Sequence, residues 1–231
     1  NNSTEIMTLA QTTSMPLAGD LSDVTRRGAS AKTGLYFLMA AISSMFFLFL
    51  LSYILRSQVS DWEALSEPWQ PLAKTWQLWI NTVLLLVASI SFELARRNID
   101  RPQQSNAREF MWLAGLSSLG FLIGQLVFWR YLMDRGFLAT TNPANAFFFL
   151  LTGLHALHLV GGMVAWVVAT RRLLAIPKEV ESKSVALAKL SIELCARYWH
   201  FLLIVWMLLF ALLSSSPGTY AAIARFCGFG E

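Results

Sequence analysis

AFFFLLTGLHALHLVGGMVAWVVAT, residues Ala146 to Thr170, runs for 25 residues without Asp, Glu, Lys or Arg. At the rise of an α-helix, about 1.5 Å per residue, it is long enough to cross a hydrocarbon core about 30 Å thick. Lipid offers no hydrogen-bond partners, so a crossing segment must satisfy its backbone internally, as a helix does. The stretch also holds two of the three histidines, His155 and His158. Three residues apart, they share one helical face. Ionisable rings inside a membrane are costly and usually functional. Ligation of haem or a metal, proton movement and hydrogen bonding between helices are the alternatives. Thr152, Gly153, Gly161 and Gly162 beside them allow a neighbouring backbone to come close, which favours helix packing.

Four further apolar segments flank this one: Thr33–Leu55, Trp76–Ala95, Phe110–Leu132 and Tyr198–Ser215. The expectation is an all-α polytopic membrane protein of five transmembrane helices. The 231 residues are 55% hydrophobic and 14% charged, well below the charge of about 25% usual in soluble domains. Residues 1–32 read as a polar N-terminal tail, 33–216 as the helical domain and 217–231 as a short C-terminal tail. The tail lacks the apolar core of a signal peptide, and the start at Asn1 suggests that a short piece precedes it.

Charge sets the expected orientation. Thirteen of the 18 Lys and Arg fall on the N-terminal tail and the second and fourth loops. The positive-inside rule places these in the cytoplasm and the C-terminus outside. Trp62, Trp69, Trp76, Trp79, Trp129 and Tyr131 gather where the other interface should lie, as amphipathic rings do. The net charge of +4 is accounted for by this asymmetry. No basic run with interleaved aromatics points to nucleic acid. Cys195 and Cys227 have no CxxC spacing and are expected on opposite faces, so neither a zinc site nor a disulfide is indicated.

Other polar residues have their own bland readings. Glu93, beside Arg96 and Arg97, fits a paired interfacial charge. Lys189, Glu193 and Arg197 are spaced for an i, i+4 ladder, and His200 follows on the same face. Between Ser184 and Ser215 there is no Gly or Pro, so the last helix is expected to start before the membrane. Asn81, Thr82 and Gln125 suit interhelical hydrogen bonds. No P-loop, HExxH or nucleophile elbow is present.

Two motifs go further. TGLHALH (Thr152–His158) and ELCARYWHFLLIVW (Glu193–Trp206), with Trp199 and His200 at its centre, resemble subunit III of the haem-copper cytochrome c and quinol oxidases. That family carries TGxHGxH on its penultimate helix and E-x4-YWHFVDxxW on its last. Asn81 and Thr82 match its NT pair, Gln125 a glutamine of the third helix, and Arg172 a basic residue closing the penultimate helix. The resemblance spans about Gly34 to Phe210 and fits the five-helix bacterial form. Three family carboxylates are replaced, by Ile42, Phe128 and Leu203.

The resemblance implies a bundle split by a V-shaped lipid cleft, with helices 1 and 2 facing helices 3 to 5. It implies an accessory, non-catalytic subunit of a proton-pumping terminal oxidase, most closely an aa3-type cytochrome c oxidase, in a bacterial cytoplasmic membrane. Haem and copper would sit in partner subunits I and II, subunit I being the main contact, and this chain would bind phospholipid but no metal. His155, His158, Glu193, Trp199, His200, Asn81 and Gln125 would then fasten helices, the histidines through the last helix and Glu193. Arg171, Arg172 and Arg197 would hold anionic headgroups or serve orientation alone. The alternatives are a partner of a quinol oxidase or nitric oxide reductase, and a small cytochrome in which His155 or His158 shares haem with His200.

Overall fold

The computed structural model of the chain describes residues 2–59, 62, 76–99, 104–176 and 182–226, with side chains at 26–59, 62, 76–99, 106–176, 184–216, 218–220, 222 and 225. Among these residues the fold is all helical: α1 (Asn2–Arg56), α2 (Trp76–Asn98), α3 (Gln104–Asp134), α4 (Pro143–Leu174), α5 (Ser182–Leu213) and α6 (Pro217–Phe226). Five are long and apolar enough to cross a membrane, the portion of α1 that qualifies being Arg26–Arg56. Each spanning helix extends past its apolar segment at one end or both, because helical hydrogen bonding continues past the point where hydropathy falls, though α5 stops at Leu213 rather than Ser215. The polar residues from Asn2 onward continue α1. α5 begins at Ser182, before the apolar stretch, as its unbroken sequence predicts. The α4 start is explained locally: Asn142 accepts a hydrogen bond from the Ala144 N–H at 3.0 Å, and Pro143 occupies the first turn, where its missing N–H costs nothing.

α2, α3, α4 and α5 pack as a bundle in which α2 lies on α3 and α5, and α4 on α3 and α5. Among the described residues α1 is attached from outside, to α5, α4 and α6, and shows no contact with α2. The pairing of helices 1 and 2 as one arm of a cleft, which the resemblance implies, is therefore not formed. Instead grooves run along α1 itself, against α4 and α5.

Lipid gives apolar side chains no reason to leave it, so helix association rests on close packing and on polar groups that find partners. Four tryptophans combine the two. Trp129 on α3 donates its indole N–H to Thr152 Oγ1 on α4 (3.2 Å). Trp199 on α5 donates to Ser118 Oγ on α3 (2.8 Å), and Trp206, also on α5, to Thr82 Oγ1 on α2 (2.9 Å). In all three the hydroxyl donates in turn to the carbonyl four residues back on its own helix: Phe148, Ala114 and Leu78. Each hydroxyl is thus an adaptor that gives its proton to its own helix and offers a lone pair to the next. Trp166 on α4 dispenses with the adaptor and donates to the Met111 carbonyl of α3 at 2.8 Å. It can reach that carbonyl because Gly115 leaves a gap where a Cβ would stand 2.1 Å from its ring.

Candidate functional site

The sequence singles out its histidines, and the structure sends the three rings to different neighbours. His155 is fully buried at the centre of the bundle. Its ring lies edge-on to Phe121 of α3 (centroids 5.7 Å, 76°) and tilted against Trp206 of α5 (5.3 Å, 37°). Neither ring nitrogen has a hydrogen-bond partner among the described residues. Enclosed by these rings, it acts as an aromatic plug. His158, one turn on, points towards α1, 5.7 Å from the Phe46 ring, with Nδ1 2.7 Å from the Leu154 carbonyl of its own helix. Its backbone carbonyl accepts from the Tyr198 hydroxyl at 3.1 Å, which ties α4 to α5. His200 faces α2: Nδ1 is 2.5 Å from Ser89 Oγ and Nε2 3.8 Å from Glu93 Oε2. These positions do not fit a bis-histidine haem, which needs two rings facing one cavity. Among the described residues no group of three or more His, Cys, Asp or Glu converges either.

Most of the charged residues gather at one end of the bundle, where α1 starts its apolar span, α2 and α4 end and α5 begins. Glu93 accepts from Arg96 (2.6 and 2.8 Å) and Arg97 (2.8 Å) on its own helix. Glu193 accepts from Arg197 at 2.7 Å and pairs with Lys32 of α1 at 3.0 Å. It therefore ties α5 to α1 and does not reach His155 or His158, while the carboxylate nearest His200 is Glu93. Arg197 also donates to the Tyr36 hydroxyl of α1. Arg172 donates to Ser191 Oγ of α5 at 2.6 Å, and Ser191 donates to the Leu187 carbonyl, the adaptor arrangement once more. Arg171 is exposed. Asn81 donates to Gln125 Oε1 across α2 and α3 at 3.3 Å, and Gly124 makes room for it.

The glycines of the histidine stretch accept rings rather than backbone. A Cβ on Gly162 would stand 3.0 Å from Tyr198 and Trp199, and one on Gly153 3.6 Å from Trp129. Gly161 meets nothing within 4 Å, because it borders a groove of about 540 Å³. That groove lies between Leu35 and Leu38 of α1, the His158–Arg172 face of α4 and the Ser191–Tyr198 face of α5. Its walls are apolar, and Arg172 and Ser191 stand at its charged end. A second groove of about 600 Å³ follows α1 and α5 on the other side, from Ser43 to Leu209.

Sequence reading passed over Ser89, Ser118, Ser191, Trp166, Lys32 and Tyr36 as contact residues. A serine four residues after a carbonyl is satisfied within its helix, so nothing in the one-dimensional pattern marks it as an acceptor. Trp69, Lys178 and Cys227 lie outside the described residues; Cys195 is a buried free thiol.

The family model for cytochrome c oxidase subunit III matches residues 14–215. A probable cytochrome c oxidase subunit 3 of Mycobacterium tuberculosis (strain ATCC 25618 / H37Rv) is 30% identical over 135 residues, 57% of this chain and 62% of the relative. The cytochrome c oxidase subunit 3 of Corynebacterium diphtheriae is 29% identical over 129 residues, 56% of this chain and 60% of that protein. That of Thermostichus vulcanus is 28% identical over 136 residues, 58% and 63% of the two chains. The chain thus aligns with less than two thirds of the length of these relatives. The family match runs through all five spanning helices and takes in both histidine motifs, so the chain belongs to the cytochrome c oxidase subunit III family.

Proposed function

We propose that this chain is the non-catalytic subunit III of a proton-pumping haem-copper terminal oxidase, of the aa3 cytochrome c oxidase type, acting in aerobic respiratory electron transport. The observation that carries this reading is the family match across residues 14–215. The geometry supports it: the polar side chains at depth hold helices together, and the buried His155 ring is enclosed by aromatic rings. The exposed apolar faces of α2 and α3, with Trp79, Val83 and Leu86 on one and Trp112, Leu116 and Ile123 on the other, suit packing on lipid and on a larger catalytic subunit. Subunit I would be the main partner, with subunit II in the same complex. The charge-rich end would face the cytoplasm of a bacterium, the polar start of α1 with it and α6 outside.

Its contribution would be to stabilise subunit I and to retain phospholipid. The groove beside Gly161 is the place for an acyl chain, with Arg172 and Arg171 at headgroup level. Arg197 is engaged by Glu193 and Tyr36 and serves the α1–α5 contact first. The test is a reduced-minus-oxidised spectrum of the tagged chain purified in mild detergent with its partners. Haem bands should arrive with larger subunits and vanish when those are stripped; haem that stays with the isolated chain refutes the reading.

A further inference from the structure

α1 is the least buried spanning helix: 17% of its most apolar stretch is buried, against 33–50% in the others. Two unlike attachments hold its ends, with Ile42 and Phe46 packed into the core between them. At the end near Arg56, Tyr53 is fully buried. Its ring meets Trp62 (4.9 Å), Tyr220 of α6 (5.5 Å) and Phe147 of α4 (5.7 Å). Its hydroxyl is 3.2 Å from that of Tyr220, which donates to the Leu212 carbonyl at 2.9 Å. That carbonyl belongs to the last turn of α5 and also accepts from the Ser215 N–H at 3.0 Å. At the other end the attachment is ionic and partly exposed: Lys32 to Glu193 at 3.0 Å, with Arg197 joining Glu193 and Tyr36. Such pairs are weak and are screened by salt, whereas a buried aromatic cluster is not. Between the two lies the groove closed by Leu35 and Leu38.

We propose that α1 is a hinged flap over the α4–α5 groove, pivoting at the Tyr53 cluster and latched at the charged end by the Lys32–Glu193 ion pair. Release of the latch opens the groove at its Arg172 end, the end from which an acyl chain can slide in without crossing the bundle. The inference concerns access to the groove and stands apart from which oxidase the chain serves.

Cys195 is a native reporter: it lines the groove and is 3% exposed. The experiment follows its alkylation by N-ethylmaleimide in isolated native membranes, read by peptide mass spectrometry. Glu193→Gln and Lys32→Gln should each speed labelling by about two- to fivefold, the range an exposed ion pair supports. The two substitutions change local charge in opposite senses, so a purely electrostatic effect on the thiol would drive the rates apart and overturn the proposal. The double variant should label no faster than either single one. Salt at about 1 M, where screening acts within ~3 Å, should bring the parent chain up to the variants' rate. Tyr220→Phe should leave labelling unchanged. Equal acceleration there would mean that the whole helix detaches without a pivot, and no acceleration in either latch variant or in salt would mean that no latch exists.

Discussion

Gly115→Ala is the sharpest test of how the bundle is assembled. A Cβ at this position would stand 2.1, 2.3 and 2.8 Å from three atoms of the Trp166 ring. Carbon atoms in contact rest at about 3.5–4.0 Å, so the ring must retreat by about 1.5 Å. It has little freedom to do so. Its N–H is held by the Met111 carbonyl at 2.8 Å, and its other side meets Trp112 edge-on at 5.8 Å. A retreat of that size takes the donor beyond hydrogen-bond range. Overpacking costs about 1–3 kcal/mol, and the lost bond adds about 1 kcal/mol. Replacing glycine in a helix returns about 1 kcal/mol. The net is a loss of about 2 kcal/mol at the α3–α4 seam. Gly161→Ala is the internal control: nothing lies within 4 Å of its added Cβ, so only the helix term remains. Thermal release of the chain from its purified complex should come at a lower temperature for Gly115→Ala and be unchanged or higher for Gly161→Ala. Trp166→Phe, which shrinks the ring and removes the N–H, should cost less in the Gly115→Ala background than alone. If the two alanine variants release at the same temperature, close approach of Trp166 does not hold α3 to α4.

The adaptor arrangement predicts that Trp206→Phe and Thr82→Val couple in a double-mutant cycle by about 0.6 kcal/mol, the usual value for an interhelical hydrogen bond in lipid. His155→Leu removes two unpartnered ring nitrogens and keeps an apolar plug, so stability should hold and haem content of the complex should not change; lost haem in an assembled complex would contradict the packing role. His200→Ala should weaken retention of the chain in the complex with haem content intact, read by subunit stoichiometry and the optical spectrum. Burial raises the Tyr220 phenol above its usual value of about 10, an effect the bond to Tyr53 only partly offsets. The folded state therefore favours the neutral phenol: its contribution is fully present below about pH 10 and is lost as pH rises towards the raised value. Protease cleavage of α6 in membranes should increase over that range in the parent chain and stay level in Tyr220→Phe.

The spanning helices were legible because lipid imposes two constraints that sequence displays directly, length and the absence of charge. The pairing of helices was not. Nothing in the sequence around Thr82, Ser118, Thr152 and Ser191 marks them as acceptors, and only the facing residue distinguishes an adaptor from a solvated side chain. Glu193 shows the same limit. Its i, i+4 partner Arg197 follows from helical geometry, but Lys32 stands 161 residues away on α1 and can be found only once α1 has been laid on α5. At Gly153 and Gly162 the sequence suggests a neighbouring backbone, but aromatic rings arrive instead, because small size does not say which group fills the space. The grouping of α1 with α4 and α5 rather than with α2 is likewise a tertiary outcome.

The three positions where the resemblance implies carboxylates are filled so as to need no charge. Ile42 and Phe128 are buried, and Phe128 stacks on Tyr131 and meets Phe148 edge-on. Leu203 packs against the core from its margin. A carboxylate returned to either buried site would face aromatic and aliphatic atoms, and would take up a proton rather than carry charge. The buried polar side chains around these positions, Asn81, Thr82, Ser118, Gln125 and Thr152, do not titrate. The Glu93 and Glu193 carboxylates both stand at the charged end, already engaged by arginines. Proton transfer through the middle of this chain would have to pass by His155, whose ring nitrogens meet no donor or acceptor among the described residues. The interior is thus arranged to hold four helices in fixed register, and the titratable side chains Glu93, His200 and Glu193 stand at its charged end.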